Sequence, residues 1–303
     1  MLFSFPFEAM GTGCVLHLYA ERENTADMAA TSAIDEVRRI ETRYSRYSER
    51  SWLSEINLAA ATGRTIEMDD ETAALLDYAF ACHRISGGLL DITTGVLREM
   101  WNFTSGILPS AEEVAALLPR VGMDKLIWER PRLRFRQPGI ELDFGGIGKE
   151  YAADRAAAVC KANGLTRGLV DLGGDIRILG PQPDGQPWRI WIRHPRMPDT
   201  AIAVVELTTG ALATSGDYER YMEVDGKRYC HLLNPRTGWP VAGLSSVSIV
   251  AEDCLLAGSL ASVAMLKERN GPAWLESLNM PHLWVDEQGR QGGTLPASWN
   301  PAS

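Results

Sequence analysis

Asp143-Phe144-Gly145-Gly146-Ile147-Gly148-Lys149, with the alanine-rich run that follows to Asn163 and then Leu169-Val170-Asp171-Leu172, is the stretch from which the fold is read. From Gly148 to Asn163 the residues Ala152, Ala156, Val159 and Cys160 share one face at helical spacing, and Gly164 is the stop. The four residues from Leu169 are a short apolar strand ending in Gly173-Gly174. A helix leading into a strand would begin a βαβ series if the pattern continued, but it does not. Upstream, Gly13 to Ala20 alternates as a strand. Asn24 or Thr25 can cap a helix running to Tyr44, with Ala33, Val37, Ile40 and Tyr44 on one face. A second helix spans about Asp70 to Ile85 and stops before Gly87-Gly88. A third begins at Ser110, where Glu113 completes a capping box.

Downstream the strands dominate. Trp188, Ile190 and Ile192 alternate with Arg189, Trp191 and Arg193. Ala201 to Leu207 is rich in branched residues, and Tyr221–Val224 and Lys227–Cys230 flank the hairpin dipeptide Asp225-Gly226. Ser246 to Ala251 leads into a helix from about Leu255 to Lys267. Pro181 to Pro187 reads as a loop and not as a boundary, and no repeat, low-complexity tract or linker interrupts the chain. The expectation is an α+β fold with mixed or antiparallel sheets and flanking helices, in a single domain over residues 1–303.

The composition is that of an ordinary globular chain, with 45% hydrophobic residues in 303. A formal net charge of -9 argues against sequence-independent nucleic-acid binding, which needs a basic footprint. The five cysteines are odd in number and form no C-x-x-C pair, so they read as reduced, mostly buried thiols. The first residues lack a basic segment followed by a long apolar one, and no apolar run approaches the roughly 18–20 residues that span a bilayer. The expected location is the cytoplasm, with no membrane partner.

Four motifs carry possible chemistry, and each has an ordinary structural explanation. The glycines of Asp143 to Lys149 let a ligand approach the backbone, and the helix behind them points its amides at the loop, which suits a phosphate. The same glycines also suit a plain turn. The stretch is not a P-loop, because Glu150 and not Ser or Thr follows Lys149. Thr214-Ser215-Gly216-Asp217-Tyr218 reads by itself as a polar turn between strands. His231 ends the hairpin strand ahead of Leu232-Leu233-Asn234-Pro235-Arg236-Thr237-Gly238, where ligands are often met, although a lone histidine is more often structural. Asp91, in Leu90-Asp91-Ile92-Thr93-Thr94-Gly95, reads as a helix cap. No zinc spacing is present.

In order and spacing, these segments resemble one family. Met10-Gly11-Thr12, Ser51 to Asn57, Asp91-Ile92-Thr93 with Trp101-Asn102-Phe103, Asp143 to Asp154, Val170 to Asp175, Trp188-Arg189, Thr214 to Tyr218, Asp225 to Arg228 and His231 to Pro240 together resemble the ApbE family of FAD:protein FMN transferases, from about Phe7 to Lys267. The resemblance implies a T-fold-related architecture. It implies FAD and Mg²⁺ as cofactors, cleavage of the FAD diphosphate, and attachment of FMN to a Thr or Ser of an acceptor flavoprotein, expected in the cytoplasm. It places FAD contacts at Met10, Tyr47, Leu89, Leu90, Asp91, Asp143, Lys149 and Leu233, with Tyr47 able to stack on the isoalloxazine, and the catalytic base at His231. Metal ligands fall at Gly146, Ala261 and Ser262. The family's metal-ligand aspartate falls on Gly258, which has no carboxylate, and Glu252 and Asp253 nearby read as solvated strand-end residues. Three outcomes are open: an FMN transferase with an altered metal site, a flavin-binding homologue without transferase activity, or an FAD hydrolase. On the first, Gly258→Asp should raise Mg²⁺-dependent activity.

Overall fold

The computed structural model describes residues 1–197, 199–295 and 298–299. The chain opens with β1 (Leu2–Ala9) and β2 (Thr12–Tyr19), then α1 (Glu23–Tyr44), α2 (Trp52–Thr62), the short β3 (Ile66–Glu67) and α3 (Asp70–Ser86). A 3-10 turn at Gly95–Glu99 leads to α4 (Ala111–Leu117) and the hairpin β4 (Leu126–Glu129) and β5 (Arg132–Phe135). Next come α5 (Gly148–Ala162), β6 (Gly168–Leu172), β7 (Asp175–Gly180), β8 (Trp188–Arg193), β9 (Ala201–Leu207) and β10 (Ala211–Gly216). The hairpin β11 (Tyr221–Val224) and β12 (Lys227–Cys230) precedes β13 (Leu244–Ala251), α6 (Cys254–Leu266), α7 (Gly271–Ser277), β14 (His282–Asp286) and β15 (Gln291–Gly293).

The fold is α+β. Its centre is an eight-stranded sheet in the order β1-β2-β6-β7-β10-β13-β14-β15, and every neighbouring pair is antiparallel. Period-two alternation divides the strand residues between two faces. Val170, Leu172, Ala211, Ala213, Val247 and Ile249 join α1, α5 and α6 in the larger core, while Leu169, Leu212 and Val250 point the other way, into a core shared with β8 and β9. A strand buried on both faces cannot show polar alternation, so β13 reads as a nearly continuous apolar and small-residue run. All five cysteines are buried and free, and no helix among the described residues is long and apolar enough to cross a membrane.

Several local readings are corrected. Strand β1 has no strand signature in the sequence: Pro6 interrupts it, and it lies at the sheet edge, where proline is tolerated. It also passed over α2 as a helix, although Ser51 caps it by accepting from the Ser54 amide at 3.0 Å. Helix α1 starts at Glu23 with Arg22 at the cap position and no side-chain cap, so neither Asn24 nor Thr25 serves. Thr214, Ser215 and Gly216 are strand, paired with Ser248, Val247 and Ser246, and do not form a turn. Asp91 caps no helix; its carboxylate closes a local turn on Thr93. Asp253 is the side-chain cap of α6, accepting from the Leu256 amide, whereas Glu252 is exposed as expected. The capping box of α4, the β11–β12 hairpin with Asp225 and Gly226 at positive φ, and the one-sided face of α1 all match the sequence.

Candidate active site

The turn before α5 is built on Phe144, which is buried against the edge of Tyr44 with ring centroids 5.3 Å apart. Its carbonyl accepts from the amides of Ile147 and Gly148 at 2.9 and 2.7 Å. Gly145, Gly146 and Gly148 do not adopt left-handed backbone, and a β-carbon on Gly146 or Gly148 would meet nothing within 4 Å. The protein's own packing therefore does not demand glycine at those two positions. Gly145 and Gly146 are exposed and α5 has no side-chain cap; the Gly145 amide goes to Asp143 Oδ1 at 2.8 Å and the Gly148 amide to Phe144, which leaves the Gly146 and Lys149 amides for an incoming group. This favours the phosphate-cradle reading over a plain turn.

Lys149 stands one residue into that helix. Its Nζ lies 2.6 Å from Asp175 Oδ2, at the start of β7 just past Gly173-Gly174. Burial opposes the lysine charge, but Asp175 and Glu150 outweigh it and hold the ammonium well above its ordinary pKa. Asp175 also accepts from the Thr214 amide at 3.3 Å, which ties the lysine to β10. On β10, Ser215 Oγ lies 2.9 Å from Ser262 Oγ on α6, and Thr214 Oγ1 lies 2.7 Å from Ser248 Oγ.

Helices α5 and α6 run antiparallel, and a clamp fixes their register. The Asp154 carboxylate accepts from the amides of Cys254 and Leu255 at 3.0 and 2.9 Å and pairs with Arg177 Nε at 3.1 Å. One turn before Asp154 on α5 is Glu150, and one turn beyond Cys254 on α6 is Gly258. These two meet: a β-carbon on Gly258 would lie 2.6 Å from Glu150 Oε1. A further turn leads out of α5 to Gly146 and along α6 to Ala261 and Ser262. Glu150 is 7% exposed and its Oε2 has no hydrogen-bond partner. Burial, reinforced by Asp175, pushes its carboxyl well above the usual carboxylate range. Among the described residues no three His, Cys, Asp or Glu side chains gather as a metal-ligand cluster.

His231 follows β12. Its backbone amide and its Nδ1 both face the Arg220 carbonyl, at 2.9 and 3.2 Å. A carbonyl only accepts, so Nδ1 carries the proton and Nε2 keeps its lone pair. Burial first, opposed by the hydrogen bond to the Arg220 carbonyl and aided by the cations Arg220, Arg98 and Lys149, pushes the imidazole pKa down to about 4. The same surroundings link it to the glycine turn: Arg98 Nε lies 3.4 Å from Asp143 Oδ2, and Arg46 Nη1 lies 3.0 Å from the same oxygen. Asn57 on α2 holds the approach to Asp143 by exchanging two hydrogen bonds with the Leu142 backbone, at 2.8 and 3.1 Å.

The other expected contacts divide into two kinds. Tyr47 is 77% exposed, with the Arg46 guanidinium 5.5 Å over its ring, so its free face is available to a ligand. Met10, at φ 53°, forms the β1–β2 turn with Gly11 and donates its amide to Glu41 Oε1 at 2.5 Å; Gly11 lies beside the Arg220 side chain. Asp91, in contrast, faces inward. Its carboxylate accepts from the Thr93 amide and hydroxyl and from the Met123 amide. Leu90 packs on Cys82 and Val263, and Leu233 packs in the Trp101 cluster, so those side chains serve the interior. Leu89 and Leu232 both pack against the cluster of Cys230, Val241 and Leu266, which places Leu89 in the neighbourhood of the segment after His231.

The sequence reading gave no role to Arg46, Arg98, Asp175 or Glu150. Asp175 and Glu150 lie inside quoted motifs; Asp175, between a glycine pair and an apolar strand, carried a signal, whereas Glu150 beside Lys149 did not. Arg46 and Arg98 have no such signature, because only the fold brings them to Asp143.

The family model described as the ApbE family matches residues 10–284 of the chain. The FAD:protein FMN transferase of Vibrio cholerae is 30% identical over 253 residues, covering 81% of this chain and 75% of that protein. The FAD:protein FMN transferase of Haemophilus influenzae is 30% identical over 234 residues, covering 74% and 68%. Among solved structures, the ApbE protein of Thermotoga maritima superposes with a TM-score of 0.90 at 32% identity, over 97% of each chain. The flavin transferase ApbE of Vibrio cholerae gives a TM-score of 0.85 at 26% identity, over 97% of this chain and 98% of that one.

Proposed function

This chain belongs to the ApbE family, and on that premise we propose that it is an FAD:protein FMN transferase acting as a single domain over residues 1–303. The observation that carries the reading is the state of His231: its Nδ1 proton is committed to the Arg220 carbonyl, and Nε2 is free as a base close to Lys149 and Arg98. The glycine turn and the first turn of α5 offer the Gly146 and Lys149 amides to the FAD diphosphate, with the Lys149 side chain beside them. Tyr47 offers a face to the isoalloxazine. Nε2 takes the proton from a Thr or Ser hydroxyl of the acceptor protein. The hydroxyl oxygen bonds to the phosphorus of the FMN half, the bond to the AMP phosphate breaks, and AMP leaves.

The residues present fit Mg²⁺, which takes oxygen ligands and usually relies on one or two carboxylates with water and substrate phosphates. Ser262 Oγ and the main-chain carbonyls of Gly146 and Ala261 would hold it, and a buried carboxylate oxygen without a partner lies close by on Glu150. When bound, such an ion neutralises charge on the diphosphate and on the departing AMP.

The test is to incubate flavin-free protein with FAD and Mg²⁺, with and without a polypeptide bearing an exposed Thr, and to measure AMP by chromatography and phosphoester-linked FMN by mass. AMP formed together with a flavin-labelled polypeptide is expected, and His231→Asn should lower both at least a hundredfold. FAD held without AMP in either mixture would make the chain a flavin-binding protein instead. AMP formed equally without the polypeptide would make it an FAD hydrolase.

A further inference from the structure

The geometry points to Glu150 as the metal-ligating carboxylate of this site, delivered from α5 into the place where a side chain on Gly258 of α6 would otherwise stand. The inference rests on the transferase reading for the identity of the site, and it supplies the ligand that the sequence lacks at position 258.

Four observations converge. First, the two positions exclude each other: Glu150 Oε1 lies 2.6 Å from where a Gly258 β-carbon would be, and Glu150 Cγ is closer still. Glycine at 258 leaves room for the glutamate as it lies; any larger residue there would force Glu150 to move. Second, Glu150 is more than nine-tenths buried, and its Oε2 has no hydrogen-bond donor. A carboxylate removed from water without a partner is strongly disfavoured, so that oxygen is open to a proton or to a metal ion that takes the proton's place. Third, the neighbouring cation is already engaged, because Lys149 is paired with Asp175. Fourth, the remaining oxygen donors lie one turn further along both elements. Ser262 is four residues after Gly258, hydrogen-bonded to Ser215 Oγ, and the exposed Gly146 precedes α5. The Asp154 clamp holds α5 and α6 in the register that this arrangement needs.

A site with one carboxylate, a hydroxyl and main-chain carbonyls leaves positions for water and phosphate, which suits Mg²⁺ or Mn²⁺ better than a metal that demands several protein ligands.

The experiment is Mn²⁺ binding to the flavin-free chain, read by electron paramagnetic resonance with Mg²⁺ as competitor, for the natural protein, Glu150→Gln, Glu150→Gly, and the double variant Glu150→Gly with Gly258→Asp. The natural protein should bind Mn²⁺ and release it to Mg²⁺. Both single variants should bind at least tenfold more weakly, and the double variant should recover most of that loss by returning a carboxylate from the other helix. Thermal melts identify any variant that fails to fold, and the double variant keeps the test decisive if Glu150→Gln does so. Unchanged Mn²⁺ affinity in Glu150→Gln, or no Mn²⁺ binding by the natural protein, overturns the assignment. Metal bound through Glu150 with no AMP released from FAD would sink the transferase reading and leave the ligand standing. AMP released with Glu150→Gln binding metal normally would do the reverse.

Discussion

Lys149 and Asp175 form a 2.6 Å ion pair between the first turn of α5 and the start of β7, with the aspartate side chain only 3% exposed. Removing the lysine leaves a buried carboxylate alone, and that is where most of the cost arises. Lys149→Met should lower stability to urea by about 3 kcal/mol, and adding Asp175→Asn should restore a good part of it. A Lys149→Met protein that unfolds at the natural urea midpoint would show that the pair is solvent-screened.

Gly258→Asp, by itself, should not rescue anything. The sequence suggested that this change would restore the metal site, but Glu150 already occupies the space. The added side chain must displace a packed glutamate and place a second carboxylate beside it. A loss of ~2 kcal/mol is expected, with no gain in Mg²⁺-dependent AMP release. Combined with Glu150→Gly, the same aspartate should be tolerated. Chemical denaturation of the four members of this cycle measures the coupling, and simple additivity would refute the steric argument.

The pH profile should differ between free and FAD-bound protein. In the free protein burial and three cations hold His231 near a pKa of about 4, so it is neutral at any pH well above that. The acid limb of kcat/KM should therefore fall near pH 4 and not near the ordinary histidine value. A bound diphosphate offsets Lys149, Arg98 and Arg220 and favours the imidazolium, so the acid limb of kcat should lie at higher pH. The stability effect has the same origin. A histidine with a depressed folded pKa destabilises the fold as pH drops from about 6.5 toward 4, because the unfolded chain binds the proton first. Coincident limbs for kcat and kcat/KM would contradict the cationic placement.

Tyr47 is mostly exposed, so its ring contributes little to the fold. Tyr47→Ala should leave the melting temperature within a degree or so, while FAD binding weakens about fivefold to tenfold, in line with ~1 kcal/mol for a stacked ring. Tyr47→Phe should bind like the natural protein. Equal FAD affinity for Tyr47→Ala in calorimetry would remove the tyrosine from the site.

The legible parts of the sequence were those where local chemistry and tertiary position agree. The α4 capping box, the Asp225-Gly226 hairpin and the apolar face of α1 each declare themselves within a few residues. The α+β class followed from their sequence without any distant contact. Strand β1 was obscured because Pro6 is permissible only at a sheet edge, and edge position is a property of the whole sheet. His231 and Lys149 were visible as candidates, but the tautomer of the histidine depends on a carbonyl eleven residues upstream. The role of Glu150 was hidden most deeply. Beside Lys149 it looked like one more helix-start carboxylate, and its meaning depends on a glycine in another helix.

The Asp154 clamp joins the two helices across a wide interval of chain, so the facing surfaces of α5 and α6 do not exist together until the later helix has been made. A chain that ends before α6 has Lys149, Asp175 and His231 but lacks Gly258, Ala261 and Ser262 on the facing helix. The α6 share of the metal site thus arrives last in synthesis, and a molecule cut short before Cys254 would lack Gly258, Ala261 and Ser262.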